Sequence, residues 1–136
     1  DDPAAQPRVR PPTPVSEAGE TLVFVYGTLK SGHVNHQVLR NAHPLGPAQT
    51  VEPYALRVGN LPAIHRTPPV SPIRGELYRV TPATLAALDE FEDHPALYQR
   101  EQIRIRTAGG EERTAWAYFG RVPEGRLEPG GCYRGP

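Results

Sequence analysis

At 136 residues and 14.9 kDa, the chain is expected to fold as one domain around one core. Mean hydropathy is −0.52, and no apolar run approaches the roughly 20 residues of a membrane helix, so a soluble protein with no membrane role is expected. Lys+Arg 15 balance Asp+Glu 15, which removes the basic footprint of a nucleic-acid binder.

Residues 1–20 hold Pro3, Pro7, Pro11, Pro12 and Pro14 and few large apolar side chains, so they read as a Pro-rich flexible arm. An inert tail and an arm that packs on the domain or a partner both stay open. The chain contains no methionine, so its start is expected to have been removed, as a tag or initiator or as a targeting segment. Residues 21–136 read as the single folded domain, expected to be monomeric.

Leu22–Tyr26 is a short run of strand formers that stops at Gly27. A buried strand ending in a glycine turn leaves backbone N–H groups unpaired, ready for an anion or a developing oxyanion. His33–Ala42 reads as a short helix with Val34, Val38 and Leu39 on one side. Gly46–Val51 and Tyr54–Val58 read as strands or edge segments interrupted by Pro47 and Pro53. Pro62–His65 and Ile73–Val80 follow; in the latter, Ile73, Gly75 and Leu77 share one face, and Glu76, Tyr78 and Val80 the other.

Thr81-Pro82 is a helix start, with an N-cap threonine and proline at the first helical position. The helix is expected to reach about Asp93, ended by Pro95. Tyr98–Thr107 and Arg113–Phe119 are two strands joined at Gly109-Gly110. The tail from Val122 is rich in glycine and proline, and Cys132, the only cysteine, permits no intrachain disulfide. That fits a cytoplasmic protein, although a cleaved exported form stays open. About six strands with two short helices cannot cover both faces of a parallel sheet. The expected class is therefore α+β, a small mixed β-barrel with short flanking helices.

One carboxylate falls on an unexpected face. Leu85 and Leu88 mark the buried stripe of the helix. At about 100° per residue, Glu92 lies within about 20° of Leu85, on that stripe. A carboxylate aimed at a core needs a partner or takes up a proton more readily, and a raised pKa suits a general acid/base near neutral pH. On the residues alone, a Glu at a helix end paired with an arginine such as Arg100 stays open.

The motifs Val23-Phe-Val-Tyr-Gly-Thr-Leu-Lys30, Gly32 to Asn35-His36, Glu52-Pro53-Tyr54, Gly75-Glu76-Leu77-Tyr78, Leu88-Asp-Glu-Phe-Glu92 and Pro95-Ala-Leu-Tyr-Gln-Arg100 resemble the γ-glutamylcyclotransferase-like (AIG2-like) family, and within it the γ-glutamylamine cyclotransferases. The resemblance runs from about Leu22 to Phe119, with an echo at Gly130–Tyr133. It implies a small mixed barrel and cyclisation of a γ-glutamyl group to 5-oxoproline with release of an amine. It implies that Glu92 is the catalytic acid/base and that Tyr26, Gly27, Thr28 and Leu29 form the substrate loop. No metal or cofactor is expected. Asn35, Lys30, Tyr98 and Tyr133 are further candidates for the substrate site. The segment between Asn60 and Arg74 and the tail depart from the animal γ-glutamylamine enzymes and are expected to shape the leaving-group pocket.

Rival chemistry is thin. Residues 27–32 lack the spacing and the Gly-Lys-Ser/Thr ending of a phosphate loop. His33 and His36 lack an obvious third metal ligand. The remaining alternative is a non-catalytic module of the same fold that binds a glutamyl-like ligand.

Overall fold

The computed structural model describes residues 21–30, 36–59 and 61–134. The Pro-rich arm, His33, Val34 and Asn35 lie outside the described residues. Strand β1, Thr21–Val25, starts the sheet. After a 3-10 helix at His36–Leu39 come β2 (His43–Thr50), β3 (Ala55–Val58), β4 (Pro62–His65) and β5 (Arg74–Val80). Helix α1 spans Pro82–Phe91, and β6 (Tyr98–Thr107), β7 (Glu112–Gly120) and β8 (Arg126–Leu127) complete the order.

The strands run β1-β5-β2-β6-β7-β4-β3-β8, and β1 also pairs with β7. That extra pairing closes β1, β5, β2, β6 and β7 into a five-stranded barrel. The β1–β7 and β4–β7 contacts are parallel and the others antiparallel, so the barrel is mixed, as the sequence suggests.

Strand periodicity explains why β1 is buried on both sides. Leu22 and Phe24 join one apolar cluster with Leu77, Ile103, Ile105, Ala115 and Ala117. Val23 and Val25, one residue out of step, join a second cluster with Leu39, Leu88 and Val80. The first fills the barrel; the second lies under the helices. Gly75 permits the close approach of β5 to β1, because a Cβ there would lie 2.1 Å from the Val25 carbonyl oxygen.

Several element boundaries differ from expectation: β2 starts at His43 rather than Gly46, β7 is one residue longer at each end, and the tail adds the short β8. The segment expected to be a helix over 33–42 shows, within its described part, only the 3-10 helix at His36–Leu39, closed by Ala42 N–H donating to Leu39 O at 2.8 Å. Helix α1 starts as expected, with Thr84 N–H donating to Thr81 Oγ1 at 3.2 Å, but ends two residues early. Asp93 adopts a left-handed φ of 54°, the ordinary way to terminate a helix, ahead of Pro95. No helix among the described residues is long and apolar enough to cross a membrane.

Candidate active site

The end of β1, the end of α1 and the start of β6 converge on one cavity of about 90 Å³. The turn Tyr26-Gly27-Thr28-Leu29 forms one wall, and Phe91 and Glu92 form another. Leu61, Pro62, Leu97, Tyr98 and Tyr118 close the rest.

The turn is held from several sides. Lys30 N–H donates to Gly27 O at 3.0 Å, which closes it into a tight bend. The Tyr26 hydroxyl donates to Tyr118 O at 2.7 Å and accepts from Ile64 N–H at 3.1 Å, tying the end of β1 to β7 and β4. The His36 ring nitrogen Nδ1 lies 3.0 Å from Leu29 O. A backbone fixed this way is preorganised, so its amides need little rearrangement to meet a charge.

Glu92 caps the C-terminus of α1, its own N–H donating to Leu88 O at 2.9 Å. Its backbone thus continues the phase set by Leu88, which is fully buried. Burial, with no compensating partner among the described residues, pushes the Glu92 carboxyl up to about 7. Arg100, the cation most available to it in sequence, goes elsewhere: its Nε lies 3.0 Å from Asp89 Oδ1, at an angle too oblique for a good hydrogen bond. The Arg100 guanidinium also stacks 4.2 Å from the centre of the Trp116 ring.

Tyrosines complete the walls. Tyr98 donates to Pro62 O at 2.7 Å, and Tyr118 donates to Asp89 Oδ1 at 2.6 Å. Burial holds both hydroxyls well above the ordinary tyrosine range, so they remain protonated at neutral pH. The Tyr98 proton is committed to β4, which leaves its oxygen only as an acceptor toward the cavity.

Not every candidate residue reaches this place. Tyr26, Gly27, Thr28, Leu29, Glu92 and Tyr98 are brought together. Asn35 is outside the described residues. Tyr133 does not line the cavity: its side chain is buried in the barrel-core cluster, and its carbonyl oxygen accepts from Lys30 Nζ at 2.8 Å. Lys30 is therefore turned into the tail, 4.0 Å from Cys132 Sγ, and braces the bend from behind. Pro62, Leu97 and Tyr118 carried no signal in the sequence, because their place depends on the β4–β7 pairing and on the chain that follows α1.

This barrel and cavity belong to a class of small-molecule enzyme, and the comparisons identify it. The family model described as gamma-glutamyl cyclotransferase, AIG2-like, matches residues 23–135, and the chain belongs to that family. It is an enzyme of the cyclotransferase type. It is 43% identical to a Homo sapiens gamma-glutamylaminecyclotransferase, covering 69% of this chain and 71% of that protein. It is 42% identical to the Bos taurus gamma-glutamylaminecyclotransferase over 64% of this chain and 57% of that one. Among solved structures, an AIG2-like protein from Mus musculus superposes with a TM-score of 0.72 at 28% identity, covering 86% of this chain and 96% of the other.

Proposed function

We propose that the cavity converts a γ-glutamyl amine or peptide to 5-oxoproline and a free amine, with Glu92 as the general acid/base. The observation that carries this reading is a partly buried carboxyl, without a cationic partner among the described residues and raised to about 7, across one cavity from the 26–29 bend. A pure binding module has no need to keep such a group at that position. The names of the similar proteins point to the same chemistry.

The substrate lies with its γ-carbonyl against the backbone amides of the bend, Gly27 and Leu29 among them. Ionised Glu92 takes a proton from the α-ammonium group. The freed amine attacks the γ-carbonyl carbon, a five-membered ring closes, and the amides hold the tetrahedral oxyanion. As the carbon–nitrogen bond breaks, protonated Glu92 supplies the departing nitrogen. Over one turnover two protons leave the α-nitrogen and two reach the released amine, so 5-oxoproline and an alkylammonium ion form without water.

Few groups suffice because nucleophile and electrophile are joined. Orientation supplies several kcal/mol of the ~7–11 available to the best intramolecular cases. A Glu at an unperturbed pKa of ~4.3 is a weak base toward an amine near ~8, and the burial of Glu92 narrows that gap. The enzyme works on a small molecule, as a monomer in the cytoplasm on this reading. Glu92→Gln keeps the shape and removes the base. 5-Oxoproline formation at the parent rate in that variant would overturn the assignment.

A further inference from the structure

The cavity continues past Tyr98 into a surface groove of about 230 Å³. The two share Leu61, Leu97 and Tyr98. The groove then runs along Gly120 and Val122 to a rim that carries Arg121 and Glu124. Its floor is apolar and open: Leu61, Leu97 and Val122 are 48%, 49% and 68% exposed. A second groove, beside His36, Arg40 and Tyr78, shares no lining residue with the cavity.

The two rim charges are not equivalent. Arg121 Nη1 donates to Gln99 Oε1 at 2.9 Å, which turns it toward β6. Glu124 makes no hydrogen bond or ion pair with another described residue, and its negative charge reaches Tyr98. Its position is built rather than loose. Gly125 has a φ of +92°, and a Cβ there would lie 2.4 Å from Gly59 N and 2.5 Å from Val58 O, so only glycine fits against β3. Arg57 Nη1 pins the same residue through Gly125 O at 3.2 Å.

The γ-glutamyl portion carries the charges that Glu92 and the bend address. Its nitrogen substituent must leave the cavity, and this groove, which shares Leu61, Leu97 and Tyr98 with it, is a continuous way out. We propose that the groove is the leaving-amine subsite, and that Glu124 selects an amine with an aliphatic stem and a distal positive charge over one with a carboxylate next to the scissile nitrogen. The proposal rests on the cyclotransferase reading. The stem covers the apolar floor, the distal ammonium meets Glu124, and a carboxylate on the leaving group faces a like charge. Glu124 is exposed, so the preference is modest, roughly two- to fivefold.

The test compares kcat/KM for three probes: the γ-glutamyl amides of butylamine, of 1,4-diaminobutane and of alanine. The parent enzyme is expected to favour the diaminobutane amide over the butylamine amide and to use the alanine amide least. Glu124→Gln should bring the diaminobutane-to-butylamine ratio near one, and Glu124→Lys should invert it. Ratios cancel any loss of folded protein. Equal kcat/KM on all three probes, or ratios untouched by both substitutions, would overturn the subsite alone. No 5-oxoproline from any probe would overturn the cyclotransferase reading and the subsite with it.

Discussion

Asp89 and Glu92 lie three residues apart at the same end of α1, yet their surroundings are opposite. Asp89 accepts from the Tyr118 hydroxyl at 2.6 Å and has Arg100 3.0 Å away. Glu92 faces the cavity with no such partner among the described residues, and burial raises it to about 7. One carboxylate is paired within the fold, and the other, on the proposed reading, exchanges a proton with substrate. The local sequence Leu88-Asp-Glu-Phe-Glu92 does not say which is which. Two residues brought in by the sheet decide it: Tyr118 donates to Asp89, and Arg100, stacked on Trp116, lies beside the same carboxylate.

That contrast can be broken from either side. The largest effect is expected for Glu92→Gln, where kcat should fall by about 10²–10⁴ with the circular dichroism spectrum unchanged. Steady-state release of 5-oxoproline measures it.

The same substitution should also change how stability depends on pH. The folded-state pKa of Glu92 is raised above its unfolded value, so its favourable contribution is fully present below about pH 4.5. That contribution is lost as pH rises through about 7. Denaturant melts should therefore find Glu92→Gln more stable than the parent at pH 8, by about 2–3 kcal/mol, and little different at pH 4.5. An advantage that grew toward acid would contradict the account.

Asp89→Asn attacks the satisfied partner. It leaves the Tyr118 hydroxyl and Arg100 without their charged acceptor and should cost about 1–3 kcal/mol in chemical denaturation. It also frees Arg100 to turn toward Glu92. The midpoint of the kcat/KM against pH curve is then expected to move to lower pH. An unmoved midpoint with the full stability loss would show that Arg100 stays stacked on Trp116.

Thr81→Ala serves as the control. It removes the cap at the far end of α1 and should cost about 1 kcal/mol in stability, with kcat/KM held within about twofold.

Much of this was legible in the sequence where local chemistry dictates geometry. The run of strand formers in Leu22–Tyr26, the Thr81-Pro82 cap and the Gly109-Gly110 turn each set an element without help from distant residues. Helical phase placed Glu92 inward even though it sits just beyond the last helical residue. The failures are non-local. Strand β8 is two exposed residues that exist because Arg57 and Val58 offer them an edge. Tyr133, a candidate for the substrate site from its place in a glycine-rich tail, has its ring in the barrel core. The partner of Asp89 and the groove at Glu124 both depend on which strands lie side by side, and no short motif encodes that.

The claim on which the rest depends is the protonation state of Glu92, and it can be read directly. A ¹³C NMR titration of the Glu92 side-chain carboxyl, assigned by its loss in Glu92→Gln, should show a midpoint near 7. A midpoint near the ordinary carboxylate value of 4.5 would mean that the group is solvated or paired, and the acid/base role would fall with it.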